Sequence, residues 1–481
     1  MKNKEEKDYE KLLEDMKKVG LTIVKDMYNT YYGIFNTEDN GNMVYEIHSR
    51  NFMIEFKKLY YRIFKVVLEQ YEFTAFQQFI ELDINNDVET VELANRVYID
   101  EDGVYVYELN RSNKCVFITD GEVFVDYAEG VVFKHNVDYD NQVEPNLDVN
   151  HTDLFKYVKK HFNIKSKKQL ILFALYLVTN FWGMSINHPL LILTGEKGSS
   201  KSTTMRKLEM LTDPKSSNLL GIPKGADGLE IRLSNSYFVS LDNLSTLSRS
   251  VSDTLARSIT GGSVSKRMLY QNSTEMVLNI KSIVAMNGIS LVAKESDLLD
   301  RSLIITLERI NPDEMRTEEE IWDEFERDRA DILGCCFKTL AIALNDNEPI
   351  ESQEMTRMAD FFVACVKVGR ALNIPEKVVS KILWENQEEI NRKSIDEEIV
   401  GLCMVELMSD KTEYTNSVTG LLKDFTTMVT RMGMSWTVLP KLPNALSKKL
   451  NKLKSNLEST YGITYEIKNV GTFREIRIQK V

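Results

Sequence analysis

Between Pro189 and Ser202 the chain reads PLLILTGEKGSSKS, an apolar run that turns into small polar residues and closes on Lys201-Ser202. The helix-prone stretch Thr203 to Thr212 follows. A strand, a glycine-rich loop and a helix in that order make a phosphate-binding P-loop, the signature of nucleoside triphosphate binding. Backbone N–H groups along Gly195, Glu196, Lys197, Gly198, Ser199 and Ser200, and those of the first helical residues Lys201, Ser202 and Thr203, are expected to face the phosphates of ATP. The Lys201 ammonium is expected to reach the β- and γ-phosphates, and the Ser202 hydroxyl to ligate Mg²⁺. One position departs from G-x-x-x-x-G-K-[ST]: Ser200 stands where the second Gly is expected. A Ser fits there if its φ is not strongly positive.

Two further apolar runs end in polar residues suited to the same chemistry. SYFVSLDNL (Ser236 to Leu244) delivers Asp242 at the end of a strand, where ligands sit in a parallel α/β sheet. Asp242 is expected to hold Mg²⁺ together with Ser202. The next residue is Asn243 rather than a Glu, so it can orient a water but cannot take its proton. Glu196 and Glu230 are the nearest candidates for a general base. IKSIVAMNGI (Ile280 to Ile289) ends in Asn287, an amide suited to hydrogen-bonding a γ-phosphate or an attacking water. In DLLDRSLIITL (Asp297 to Leu307), Arg301 stands between a short helix and another apolar strand. In this order of elements it matches an arginine finger that stabilises transition-state charge at a neighbouring subunit's nucleotide.

The chain that positions these groups has 481 residues, enough for two to four domains. Residues 1–90 read as mostly helical. From Arg96 to His135 the pattern alternates and is broken by DG turns, as in a small antiparallel sheet. The acidic, Asn-rich stretch from Val137 to Asp153 reads as a linker. Domains are expected at 1–150 (N-terminal α+β), 151–310 (ATPase core), 311–408 (helical lid) and 411–481 (C-terminal module). Gln169 to Thr194 carries no formal charge over 26 residues, but Pro189 splits it, and a buried helix followed by a strand fits better than a membrane span. Five cysteines without metal-like spacing read as reduced thiols, and the charged N-terminus is not a signal peptide, so a cytoplasmic protein is expected.

The net charge of −12 is unevenly spread. From Lys411 to Val481 there are 12 Lys+Arg against 5 Asp+Glu, or +7, which leaves −12 − 7 = −19 on the rest. That tail reads as a winged helix. A helix is expected from Asn416 to Arg431, a second opened by Pro443-Asn444, and a hairpin from Ile463 to Ile478. Leu446, Leu450, Leu453 and Leu457 form the buried stripe of the second helix. Ser447, Lys448, Asn451, Lys452 and Lys454 lie outside it, so this helix is expected to enter the major groove of duplex DNA. Lys468 and Arg474 of the hairpin are expected near phosphates. A winged helix used for protein contacts is the alternative.

Taken in order, LTGEKGSSKS, SLDNLS, GGSVSKRMLYQNSTE, MNGI and DLLDRSLIITL resemble an AAA+ ATPase, in the branch that holds superfamily 3 and mini-chromosome-maintenance helicases. They resemble the ATPase domain of replication proteins from phages and integrative elements, such as the replicative helicases of staphylococcal pathogenicity islands and cassette chromosomes. The resemblance covers about residues 95–310 and extends more loosely to the C-terminus. It implies an α/β AAA+ core assembled as a homo-hexamer, with ATP at subunit interfaces and Arg301 acting in trans. It also implies a hairpin between Gly261 and Ile280 that carries Lys266, Arg267 and Tyr270 onto a DNA strand in the pore; a structural hairpin with solvated charges is the alternative. Arg357, in TRMADFF, stands where related helicases carry a second sensor arginine. The function expected is an ATP-dependent DNA helicase replicating a mobile element or phage. The alternative is an ATP-switched initiator or helicase loader, and a signalling or defence ATPase would leave the basic tail unexplained.

Overall fold

The computed structural model describes residues 8–480 except 38–40, 84–87, 136–137, 218, 220, 222–225, 245, 268–274, 289–292, 294, 353–354 and 472. At its centre lie four parallel strands, Leu190–Thr194, Phe238–Leu244, Ile283–Gly288 and Ser302–Thr306. Across the sheet the order is Phe238, Ile283, Leu190, Ser302, so the first strand in the chain lies inside and its successors flank it on both sides. That crossing puts a crevice at the C-terminal end of the Leu190 strand, the usual ligand position in such a sheet.

Period-two alternation splits these strands between two cores. Leu191, Leu193, Ile283, Ala285, Leu303 and Ile305 face one core, shared with helices Lys167–Thr179, Glu318–Leu344 and Ala359–Ala371. Leu190, Ile192, Val284, Met286 and Ile304 face the other, shared with helices Ala226–Asn235 and Arg249–Thr260. Burial on both faces is why these strands read as unbroken apolar runs. The uncharged stretch from residue 169 accordingly splits into the buried helix Lys167–Thr179 and the Leu190 strand. Among the described residues no helix is long and apolar enough to cross a membrane.

The N-terminal ninety residues are less helical than their sequence suggests. Helix Tyr9–Lys18 leads into a three-stranded antiparallel sheet, Leu21–Lys25, Tyr31–Thr37 and Gly41–Glu46, before helices Arg50–Phe64 and Gln70–Asp83. Short β-branched and aromatic runs between Gly- and Asn-containing turns make these strands. Their core is aromatic: the Phe56 and Phe76 rings stand 4.6 Å apart, and Phe35 and Phe52 pack beside them.

Strands Val97–Ile99, Tyr105–Glu108, Lys114–Ile118 and Val123–Tyr127 form the antiparallel sheet that their alternation indicates. A fully buried arginine ties it to the core: Arg96 Nε donates to Asp213 Oδ1 at 3.0 Å, and its guanidinium lies 4.2 Å from the Tyr139 ring. The stretch after it is no free tether. Gln142 is buried and donates to the Tyr107 hydroxyl and to the Leu211 carbonyl, and the Asn146 carbonyl packs so closely on Gly334 that a Cβ there would meet it at 1.8 Å. Polar composition suggests a linker, but its amides are used as fasteners.

The basic tail opens with strand Glu413–Ser417, so Asn416 lies in a strand and the helix starts at Val418. Ser417 caps that helix by accepting from Gly420 N at 3.0 Å. Helix Pro443–Tyr461 and strands Ile463–Val470 and Phe473–Lys480 follow, with the Phe473 strand in the middle of the three-stranded sheet. Leu446, Leu450, Leu453 and Leu457 are buried in one core with Val400, Cys403 and Met404 of the preceding helix, Ile399–Leu407. All five cysteines are free and buried.

Candidate functional site

The loop Gly195–Ser200 links the central strand to helix Lys201–Thr212. Gly195 has φ +150°, and a Cβ there would stand 2.3 Å from the Leu307 carbonyl oxygen, so only glycine fits. Gly198 has φ +79°. Ser200 has φ +62°, the left-handed conformation, contrary to the expectation of a relaxed serine. The loop demands a glycine-like backbone at this position, and a Cβ-bearing residue adopts it under strain. Support comes from outside the motif. Asn163 Nδ2 donates to the Glu308 carbonyl at 2.6 Å and the Ser199 carbonyl at 3.4 Å, and Ile310 N donates to the Gly198 carbonyl at 3.2 Å. A lone Asn after a helix gives no sequence signal for that duty.

Lys201 Nζ lies at the loop mouth, donating to the carbonyls of Gly195 (2.7 Å) and Glu196 (2.8 Å). Desolvation holds this ammonium below its ordinary range, and the Asp242 carboxylate pulls in the opposite direction. Ser202 Oγ donates to Asp242 Oδ1 at 2.8 Å. Asn287 Nδ2 donates to the same oxygen, and Asn287 Oδ1 accepts from Asn243 N at 2.7 Å. Asn243 itself has φ +56°. The ends of three neighbouring elements thus meet in one polar network, with the Asn287 side chain buried and Ser202 at the surface.

Ser202 and Asp242 present hard oxygen donors side by side, a fit for Mg²⁺, which takes few protein ligands and completes its shell with water and phosphate oxygens. Among the described residues no three His, Cys, Asp or Glu side chains group as a metal cage. Glu196 and Lys197 are exposed on the loop, Thr203 is half-buried, and Ser199 is buried with Oγ donating to the Glu196 carbonyl at 2.9 Å. Glu230 is buried 3.7 Å from Arg257, a neighbour of the Ala256 carbonyl that Arg301 binds, so it stands apart from the Asp242 network.

Arg301 lies at the far end of the sheet from its own loop. Its carbonyl accepts from Leu190 N, at the start of the strand whose other end carries Gly195. Five residues of strand separate the two by roughly 15 Å. The guanidinium donates to the Ala256 carbonyl at 2.9 Å and to Asp297 Oδ1 at 3.1 Å. Arg357 joins it: its Nη2 donates to the same Asp297 oxygen at 2.6 Å and its Nη1 to Asp300 at 2.8 Å. Arg357 precedes helix Ala359–Ala371. Spacing alone gives no sign that these arginines, far apart in the chain, share a carboxylate.

Lys266 and Arg267 lie on strand Ser263–Arg267, paired antiparallel with Glu275–Asn279; Tyr270 and the tip of the hairpin fall outside the described residues. In the C-terminal unit, Ser447 is buried and its Oγ donates to the Pro443 carbonyl, so it is not on the outer face where its spacing puts it. Asn451 accepts from the Tyr465 hydroxyl at 3.0 Å. Lys452 pairs with Glu295 of the sheet-bearing core at 3.1 Å, and Lys449 with Glu398, the residue that opens the adjoining helix Ile399–Leu407, at 2.7 Å. Lys448 and Lys454 are exposed, Lys468 pairs with Glu466 at 2.7 Å, and Arg474 donates to Asn444 at 3.1 Å.

Residues 159–379 match the family model of the actinomycete integrative conjugative element replication protein, and residues 400–481 match the C-terminal domain of that RepA family. The chain is similar to mobile-element replication proteins. The first match contains the Gly195 loop, Asp242, Asn287, Arg301 and Arg357; the second contains the basic unit. Among solved structures, "SCCmec type IV Cch - active helicase" is similar at 12% identity and a TM-score of 0.47, covering 96% of this chain and 93% of that one. The NrS-1 C-terminal region in its A-form apo state is similar at 14% identity and a TM-score of 0.41, covering 99% and 100%. No curated protein matches the chain.

Proposed function

We propose that this chain is an ATP-dependent DNA helicase for replication of a mobile element, an AAA+ ATPase acting in the cytoplasm as a homo-hexamer. The observation that carries the reading is the meeting of Ser202, Asp242 and Asn287 beside the Lys201 ammonium at the C-terminal edge of a parallel sheet. ATP binds with its phosphates on the Gly195 loop. Lys201 offsets the β- and γ-phosphate charge, Ser202 and Asp242 hold Mg²⁺, and Asn287, braced by Asn243, orients the attacking water. Bound Mg²⁺ neutralises phosphate charge. Arg301 and Arg357, at the far end of the sheet, serve the neighbouring subunit's nucleotide. The strand order supports an AAA+ core, and the helix–strand–helix–helix–strand–strand sequence after Glu398 supports a winged helix that binds duplex origin DNA. Lys266 and Arg267 contact a single strand in the pore. Strand displacement on forked DNA with ATP, beside the Lys201→Ala protein, tests the reading; ATP-independent or absent unwinding overturns it.

A second reading, an ATP-switched initiator or loader, is favoured by the ion pair of Lys452 with Glu295, because it ties the basic helix to the sheet-bearing core and puts DNA access under control of that core's conformation. In that case ATP changes duplex affinity and no strand is displaced.

A further inference from the structure

The N-terminal unit carries an exposed patch for which the ATPase has no use. Helix Arg50–Phe64 ends on a left-handed Lys65 (φ +55°), whose N–H donates to the Tyr61 carbonyl at 3.0 Å, and the chain turns through Val66 and Val67 into the next helix. The inner side of this corner is core: Tyr60, Leu68 and Phe73 are buried. Its outer side is apolar and basic together. Tyr61 is 52% exposed, Phe64 38% and Val67 70%. From Lys57 to Leu68 the sequence KKLYYRIFKVVL has four basic residues and no acidic one. Lys58 pairs with Glu55 at 2.8 Å and Lys57 donates to Gln70 at 3.0 Å, so the cations beside the exposed rings are Arg62 and Lys65.

We infer that this corner binds single-stranded nucleic acid, with Tyr61 and Phe64 stacking on bases and Arg62 and Lys65 on the backbone. Aromatic faces beside cations form the platform that single-strand binding requires. Tyr61 and Phe64 are three apart on the helix and so share a side. The Phe64 ring is backed by Tyr60 at 4.7 Å, which fixes its orientation. The patch is a corner presenting rings rather than a free helix that fits a groove, and rings stack only on bases that are not already stacked in a duplex. Its unit also touches the base of the hairpin between Gly261 and Ile280, where Asn279 Nδ2 donates to the Tyr28 hydroxyl at 2.9 Å. The inference shares its DNA partner with the helicase reading but none of its residues.

Fluorescence anisotropy of the full-length protein without ATP tests it, using labelled oligothymidylate and an abasic oligonucleotide of equal length. Tyr61→Ala is expected to weaken oligothymidylate binding about tenfold, with little change on the abasic strand. Arg62→Glu with Lys65→Glu is expected to weaken both. Tyr61→Ala leaves the packed Phe64 in place, so a fold defect is not built into the test. Unchanged affinity in both variants, or equal losses on both strands for Tyr61→Ala, overturns the proposal. So does an unchanged affinity accompanied by a lower sedimentation mass, which would make the patch an interface between copies of the chain. Because no ATP is needed, the platform can stand if unwinding fails, and unwinding can stand if the platform fails.

Discussion

The Gly195 loop and the helix Pro443–Tyr461 are both rich in polar residues, yet the structure treats them in opposite ways. At the loop, residues adjacent in sequence act on one another: Lys201 returns to the Gly195 carbonyl and Ser199 to that of Glu196. Such geometry is set by local backbone, so a motif nearly determines it. On the helix, spacing separates a leucine stripe from an outer face, but what meets that face is decided by distant residues. Glu295 and Glu398 pair with Lys452 and Lys449, so part of a surface that still faces solvent already has carboxylate partners. A chemical site written in consecutive residues is legible; a recognition surface depends on the fold around it.

The sharpest way to break this contrast is Lys201→Ala. It is expected to abolish ATP hydrolysis while leaving melting temperature and DNA affinity near those of the parent, because the side chain caps loop carbonyls and supports no core. Hydrolysis at the parent rate would remove the loop from the chemistry altogether.

Arg301→Ala is expected to lower turnover on the order of 10³-fold with ATP binding kept, since such an arginine acts on transition-state charge. Mixing it with Lys201→Ala is expected to restore part of the activity, as some interfaces then pair an intact loop with an intact arginine. No recovery under subunit exchange would assign Arg301 to holding Ala256 and Asp297 only.

Helix Pro443–Tyr461 calls for a graded test. Lys448→Glu, at an exposed position, is expected to weaken duplex binding and to flatten the salt dependence by about 0.9 for each phosphate that the helix no longer neutralises. Lys452→Glu is expected to have the smaller effect, because that ammonium already has a carboxylate partner and an exposed pair contributes about 0–1 kcal/mol. Equal effects from the two in a salt series would mean that the helix leaves Glu295 when DNA binds.

These cases locate what sequence can carry. The strands that carry Asp242 and Asn287 near their C-terminal ends, the DG-broken sheet and the leucine stripe are legible because a period or a motif sits within a few residues. The strands Leu21–Lys25 and Tyr31–Thr37 are hidden among charged, helix-like neighbours. The residues from Gln142 to Asn146 read as a linker because composition does not register a buried amide bonded across the fold to Leu211. Ser447 faces outward by spacing yet is buried, because what packs against a helix position is decided by distant residues; its hydroxyl donates to the Pro443 carbonyl one turn back. Glu230 is a candidate base by sequence proximity alone, and a sheet that interleaves its strands makes that proximity uninformative.

Ser200 gives the smallest expected effect and the finest probe of the loop. Its φ of +62° costs a Cβ-bearing residue about 1 kcal/mol, whereas glycine adopts it freely. Glycine also gains chain entropy on unfolding, which offsets part of that relief. Ser200→Gly is therefore expected to change stability by only about 0.5 kcal/mol in the stabilising direction, and its hydroxyl bond to the Ser199 carbonyl is local enough to be replaced by water. Urea unfolding followed by circular dichroism resolves the sign if the slope with denaturant stays constant. A destabilisation of about 1 kcal/mol or more, the range of a hydrogen bond, would mean that the Ser200 hydroxyl holds the loop together, and that the missing glycine was replaced by a hydrogen bond rather than tolerated as strain.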